Sequence, residues 1–551
     1  MFSNIRQNHY ILHIQRKAAN NYYEFSKGAL DMYGFSFKPK KNKTDIAEKI
    51  DAVLKSTLPP SAAGQISGDF EENIKALKEI FRNDDLIEFR RLDLTDKLSA
   101  EVCLVFCDGL VNSEIIDNHL IRPLMELERL PKGYSAEEGF LSRVFQVNSI
   151  KKVKSYYEII QGITYGDSLI LLSGSNDAFL CSTKKFESRS ISEPEGEKIL
   201  SGPREGFTEV MMTNLSLVRR KLRTERLKMR YYQIGNKTNT QLCIAYLDGI
   251  ADPDIIKRLY KRLDSIDIDG ILDTNYIDEL IRDNQYSPFR STGDTERPDV
   301  VAAKLLEGRI AVFVDGTPVV LTLPHLFVEN FQSNDDYYQN YYYATFSRAL
   351  RILGFFITVL VPAIYIATVA FHQEMLTEPL LFSIAIERQS VPLPAAVEAL
   401  VMLLAFEILR ETGLRMQNNV GQALSIVGAL VVGQAAVEAQ LVAAPMIIIV
   451  ALTGITSLLV PKMNSSILIM RFGILLLASC FGFTGVVVGF ALCLIHVLTL
   501  YSFGVWQLCP TSKLSWQSIK DTAVRVPWWQ MITQPQPFSG NKIRQKEKPE
   551  V

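Results

Sequence analysis

Three carboxylates stand where the sequence is otherwise apolar. Glu398 and Glu407 interrupt PAAVEALVMLLAFEIL, and Glu438 closes GQALSIVGALVVGQAAVEA. A carboxylate in hydrocarbon needs water, a partner or a bound proton, so such residues are expensive and usually functional. Ahead of Glu438 lie Gln422, Ser425, Ala429 and Gln434, in a stretch built of small and amide side chains. Two readings are open. Stripes of Gly, Ala and Ser let helices pack closely. The same side chains can line an aqueous ion path or form its gate, with Glu398, Glu407 and Glu438 shaping the field as carboxylate rings do in cation pores.

Other chemistries lack their motifs. The chain has no GxxxxGK[ST] phosphate loop, no GxGxxG after a strand, no GxSxG elbow and no HExxH helix. Its six histidines are isolated, and its seven cysteines show no zinc spacing. The compact run Asp294-Thr295-Glu296-Arg297-Pro298-Asp299 has no nucleophile beside it and reads as a salt-bridged turn. We therefore expect no enzyme, no cofactor and no metal. Lys plus Arg number 59 against 60 Asp plus Glu, so nothing argues for a nucleic-acid partner.

The elements that must position those carboxylates form a membrane block over 346–503. Apolar stretches such as FFITVLVPAIYIATVAF and MIIIVALTGITSLLV crowd there. With about 20 residues needed per spanning helix, four to six membrane segments are expected, in contact with membrane lipid. Arg348 and Arg351, Arg410 and Arg415, then Lys462 and Arg471 alternate with HQEMLTEP and the turn near Gln440–Pro445, which have no Lys or Arg, and this puts the preceding domain in the cytoplasm. The stretch Phe472–Tyr501 is long for one span and short for two, and reads as a re-entrant hairpin broken near Gly482, Gly485 and Gly489. A basic C-terminal tail fills 504–551.

Ahead of the membrane block the chain repeats itself. EVCLVFCDGLVNSEIIDNHLI and QLCIAYLDGIADPDIIKRLY each read as a strand, an Asp-Gly turn and an amphipathic helix. In a second matching pair each member reads as a helix, a Gly break and two strands, joined at Ser173-Gly174 and Asp315-Gly316, placed for tight turns with φ > 0. We read a tail over 1–59, one α/β lobe over 60–190 and a second over 191–330, the second with a linker helix. In that helix Phe207, Met211, Leu215, Val218 and Leu222 recur at helical spacing, and its end is basic. Arg204, Arg219, Arg220, Asp248, Glu296, Arg297 and Asp315 are candidate inter-lobe or subunit contacts. A cleft between two lobes is also a candidate small-ligand site.

Several segments carry a family resemblance. EPEGEKILSGPREGFTEVMMTNLSLVRRKL, YSPFRSTGDTERPDVVAAKLLEGRIAVFVDGTP, FEILRETGLRM, NNVGQALSIVGALVVGQAAVEA and SFGVWQLCP fall in order across 187–510. With them the chain resembles the A subunit of the GerA-type spore germinant receptors. It departs at Arg290, Met416-Gln417, Ala443-Ala444 and Trp506, where other residues are usual. The resemblance implies a multi-pass protein of the inner membrane of a bacterial endospore. It implies a permease-like B subunit and a lipoprotein C subunit as partners, nutrient sensing coupled to ion release, and an oligomeric ligand-gated channel of several copies of this chain. An A-like subunit accessory to the dipicolinate channel is the alternative within the family. A secondary transporter is the alternative outside it, though the visible repeat lies in the head rather than in the membrane block.

Overall fold

The computed structural model describes residues 64–93, 101–126, 147–185, 193–415, 428, 431–508 and 520–531, apart from 148, 174, 195 and 523. The expected tail over 1–59 lies outside these residues, as do Gln422, Ser425, Ala429 and Gly174.

The first lobe opens with helix α1 (Phe70–Ile80). Asp69 caps it, its side chain accepting from the backbone of Glu71 and Glu72. Strands β1 (Ile87–Asp93), β2 (Glu101–Cys107) and β3 (Ile150–Val153) follow, then helix α2 (Tyr156–Ile163) and strands β4 (Asp167–Leu172) and β5 (Ala178–Ser182). They form one sheet in the order β1-β2-β4-β5-β3, every pair antiparallel.

The second lobe repeats that plan. Helix α3 (Met211–Lys221) leads to β6 (Leu227–Ile234), β7 (Thr240–Leu247), helices α4 (Pro253–Asp264) and α5 (Thr274–Ile281), and β8 (Gly293–Thr295). Helix α6 (Pro298–Leu306), β9 (Ile310–Val314) and β10 (Val320–Leu323) complete it. The sheet order is β6-β7-β9-β10-β8, position for position that of the first lobe. Central β9 is buried at all five positions, and α4 lays Ile255, Leu259 and Leu263 on the same core. The Asp-Gly turns adopt the backbone that the repeat requires: φ is +77° at Gly109, +73° at Gly249 and +89° at Gly316.

The lobes dock edge to loop. Edge strand β6 offers its free backbone groups to residues 80–86 of the first lobe. The Met229 carbonyl accepts from Asp85 N at 3.0 Å, and Tyr231 N donates to Asp85 Oδ2 at 2.9 Å. Lys228 Nζ reaches the Ile80 carbonyl at 3.1 Å. Covering an edge in this way removes a template for strand addition. Linker helix α3 lies in the same seam. The five apolar positions expected on its face, from Phe207 to Leu222, are all buried. Asp315 Oδ1 caps it from the β9–β10 turn, accepting from Met211 N at 3.1 Å.

Beyond the lobes come helices α7 (Tyr341–Ala370), α8 (Glu378–Gln389), α9 (Ala395–Arg415), α10 (Ala444–Ser457) and α11 (Asn464–Leu498), with helical turns also over 431–438. Among the described residues two helical stretches, Tyr341–Ala370 and Pro461–Leu498, are long and apolar enough to cross a bilayer. Helix α11 is not straight. At Gly482 the backbone leaves the helical region (φ +60°, ψ −137°), and the chain folds back on itself. A Cβ on Gly485 would meet the Leu477 carbonyl, and one on Gly489 would lie 3.1 Å from Ile474 Cγ1. Small residues thus let the two arms touch backbone to backbone. Both outer ends return to one segment of the second lobe: Ser466 Oγ donates to the Pro288 carbonyl at 2.6 Å, and His496 Nε2 lies 2.9 Å from Ser287 Oγ. The tip at Gly482 abuts Phe371 and His372, just past the end of α7.

Candidate functional site

The chemistry concentrates where the second lobe meets the membrane helices. After α11 the chain enters a short hairpin of β11 (Tyr501–Ser502) and β12 (Val505–Trp506). Between them Phe503, at φ +50°, is fully buried in the apolar core of the second lobe beside Leu259 and Ile281. Arg258 donates to its carbonyl at 2.6 Å, its own N–H donates to Asp283 at 2.6 Å, and Arg262 stacks 4.5 Å from its ring. Burying one Phe contributes roughly 1.5–3 kcal/mol. The segment that follows the α11 hairpin is therefore part of the head's own core.

A second tie holds the start of α7. Asp336, in the short helix Asp335–Tyr338, is buried and accepts from Arg348 Nε at 2.8 Å and Arg351 Nη2 at 2.7 Å. Burial alone would raise its pKa; the two guanidiniums override that and hold it below the ordinary value. Arg348 also donates to Asp521 at 3.0 Å, as does the Tyr337 hydroxyl, and Arg525 stacks over Tyr337 and Trp528. Residues 520–531 thus strap across the head end of α7.

A third cluster lies under β10. Glu329 is buried, burial pushing its pKa up, yet Arg309 and Lys304 hold it well below the ordinary value. Lys304 Nζ is 2.7 Å from its carboxylate, Arg309 pairs with its other oxygen, and Leu326 N donates at 2.7 Å. A cavity of about 190 Å³ opens beside this cluster, between the second lobe, Lys462 and Trp528. It does not lie between the two lobes.

Glu398, Glu407 and Glu438 have three different surroundings. Glu398 is fully buried and accepts from Ala443 N at 2.6 Å, capping α10 from the neighbouring helix α9. Glu407 is paired twice, with Arg410 at 2.5 Å and with Arg471 on the first arm of α11. Glu438 is exposed and accepts from Gln434 Nε2 at 3.0 Å. The pairing of Glu407 with Arg471 spans 64 residues and left no local signal in the sequence.

The candidate contacts of the head separate as well. Arg219 joins the lobes, its guanidinium 2.7 Å from Asp84 of the first lobe. Arg220 pairs with Glu205, and Lys221 reaches the same carboxylate at 2.9 Å. Arg297 is fully buried and holds Asp299 at 3.1 Å and the Pro203 carbonyl at 2.5 Å. Glu296 accepts Phe207 N at its carbonyl at 2.8 Å, and Asp315 caps α3. Arg204 and Asp248 are exposed. Sequence reading missed Asp84 and Phe503, whose partners are remote in the chain, and Asp336, whose partners Arg348 and Arg351 lie 12 and 15 residues on.

Comparison with known proteins places this architecture. The family described as Bacillus/Clostridium GerA spore germination protein matches residues 75–537. Spore germination protein KA of Bacillus subtilis (strain 168) is 41% identical over 484 residues, covering 87% of this chain and 89% of its own. Spore germination protein A1 of the same organism is 36% identical over 453 residues, covering 82% and 92%. A crystal structure of the N-terminal domain of the A subunit of the Bacillus megaterium spore germinant receptor GerK3 is 30% identical. It covers 48% of this chain and 98% of that one, with a TM-score of 0.36. By the family match and by these identities, the chain belongs to the GerA spore germination protein family.

Proposed function

We propose that this chain is the germinant-receptor subunit that turns nutrient sensing into ion release, as an oligomeric ligand-gated ion path in the inner membrane of a bacterial endospore. The observation that carries the reading is the seating of Phe503 in the core of the second lobe. A shift of that lobe is delivered through the Phe503 core to the membrane hairpin, and through Asp336 and Arg348 to α7. The permease-like B subunit and lipoprotein C subunit are its partners in this reading. The sensing event reaches the head from them, and the head pulls on the helices.

Six membrane legs are proposed, with head and tail on one side. Residues 501–507 and 520–531 both bind the head's side of the molecule, which supports an even number of crossings. Helix α7, helix α9, the turns over 431–438, helix α10 and the two arms of α11 supply the legs. The cytoplasmic side is supported by Arg348, Arg351, Arg410, Lys462 and Arg471 near the head, against Arg388 at the far end. Glu398, Glu438, Gln434 and the third apolar stretch, with Ser425, remain the proposed path.

The test is nutrient-triggered ion release from spores, or current across a bilayer holding the purified receptor. Glu398→Gln, Glu438→Gln and Ser425→Leu are each expected to change the flux. If all three are folded, assembled and unchanged, this stretch is not the path.

A further inference from the structure

One stripe of exposed apolar side chains runs along α7. Tyr342, Phe346, Leu350, Leu353, Phe356 and Ile364 are all exposed, and at about 3.6 residues per turn they fall on one side of the helix. The opposite side carries Ala344, Arg348, Phe355, Thr358 and Val359, all buried. From Tyr342 to Ile364 the helix rises about 33 Å at roughly 1.5 Å per residue, close to the ~30 Å of a hydrocarbon core. The stripe thus has the length of a bilayer, and Tyr342 marks its head end.

Aromatic side chains gather at that end. Tyr342 is 71% exposed and Tyr343 60% exposed in the first turn of α7. The strap over 520–531 brings two indoles to the same level. Arg525 fixes its height, the backbone N–H donating to Thr345 Oγ1 at 3.1 Å, one turn beyond Tyr341. Trp529 then meets Tyr341 edge to face, ring centres 5.9 Å apart, and Tyr341 lies 4.0 Å from Tyr342. The strap turns Val526 and Met531 inward, yet leaves Trp528 47% and Trp529 50% exposed. Trp is highly buried on average, so two adjacent indoles turned outward are the reverse of what water selects. Indole and phenol are flat apolar bodies with one polar tip, a shape that suits the boundary between acyl chains and headgroups. Their gathering at one end of a stripe of bilayer length favours lipid over a protein groove as the occupant.

We propose that Trp528 and Trp529 insert into the headgroup boundary of the bilayer and form, with Tyr342 and Tyr343, an aromatic anchor that fastens the C-terminal strap to the membrane. The partner is lipid, not a second copy of the chain. The strap in turn holds Arg348 through Asp521 at 3.0 Å, so the bilayer surface becomes part of the tie at the start of α7. The inference rests on α7 crossing the bilayer and is independent of the ion path proposed above.

Quenching of tryptophan emission by brominated phosphatidylcholine tests this, with the full-length chain in lipid nanodiscs. The chain has four tryptophans, so Trp506→Phe with Trp516→Phe leaves only Trp528 and Trp529. Their emission should be quenched by lipid brominated near the glycerol end of the acyl chains, and less by lipid brominated at the chain ends. Leu353→Trp, in a chain whose native tryptophans are all replaced by Phe, should show the reverse order, since it stands about 16 Å further along α7 than Tyr342. If the first pair of changes fails to fold, the shallow quenching lost from the parent on Trp528→Phe with Trp529→Phe reads the same two rings. Quenching of Leu353→Trp without quenching of Trp528 and Trp529 would overturn the anchor and leave the crossing of α7 standing. Absence of quenching at both places would overturn both. Quenching of the two indoles that appears only at one chain per nanodisc would assign them to a contact between copies, and it too would overturn the proposal.

Discussion

Arg219 of the linker helix and Asp84 of the first lobe form an ion pair 2.7 Å long, with both side chains wholly removed from solvent. The pair crosses the seam between the lobes, and Arg219 also donates to the Leu227 carbonyl at 3.1 Å. Removing one partner strands the other charge in the interior. Asp84→Ala is expected to cost about 3–5 kcal/mol, whereas an apolar pair of matching volume costs far less. Thermal unfolding of the purified chain reads the first number. Limited proteolysis around residues 193–205 reports whether the seam has opened.

The two Asp-Gly turns of the second lobe offer a cleaner measurement. At Gly249 and Gly316 an added Cβ would meet nothing within 4 Å, so a substitution there is strained by backbone alone. Each change to Val should cost about 1–2 kcal/mol, the penalty of a left-handed backbone for an L-residue. Gly109→Ala should cost more, because its Cβ would also press on Met212. Equal losses at all three positions would contradict the packing described for Met212.

The membrane hairpin should be intolerant at one atom. Gly485→Ala places a methyl group against the Leu477 carbonyl, which is backbone and cannot turn aside. Gly473→Ala, with open space around it, is the matched control. Protein recovered in the membrane fraction is expected to fall for the first and hold for the second.

Acid should loosen the junction in a defined window. Asp336 and Glu329 both have lowered pKa values in the folded chain, from ordinary values of 3.8 and 4.5. For a carboxylate shifted down, the stabilisation is complete above its unfolded value and is lost as pH falls through the folded one. The melting temperature should therefore hold down to about pH 5 and drop below pH 4. Asp336→Asn is expected to flatten part of that drop; an unchanged profile would separate Asp336 from acid stability.

Orientation can be settled by labelling. Ser291 is buried and would resist a reagent, but Tyr286 is 98% exposed at the foot of the second lobe. Cysteines at Tyr286 and at Glu374, exposed beyond the far end of α7, should label from opposite faces. A cysteine at Trp529 should label with Tyr286.

Much of this fold could be read from the chain because local signals agreed with the global arrangement. The doubled Asp-Gly strand units and the α3 stripe are periodic features, and periodicity survives in a single sequence. The break near Gly482 was legible for the same kind of reason: three glycines interrupt an apolar run of awkward length. What stayed hidden depends on partners far apart in the chain. Glu407 looked like a lone carboxylate because Arg471 is 64 residues away. Arg348 looked like a topology marker, and it also pairs with Asp521, 173 residues on. Phe503 read only as the last residue of the membrane block, because its pocket is built from residues 234–323.

The Phe503 contact also sets an order of events during synthesis. A ribosome makes the second lobe first, then the whole membrane block, and only afterwards the residue that fills the lobe's core. The newborn head must wait, one side chain short, while the helices are inserted. A chain that stops before residue 503 leaves that apolar pocket unfilled. The core of the head is thereby completed only after the apolar helices behind it have been made.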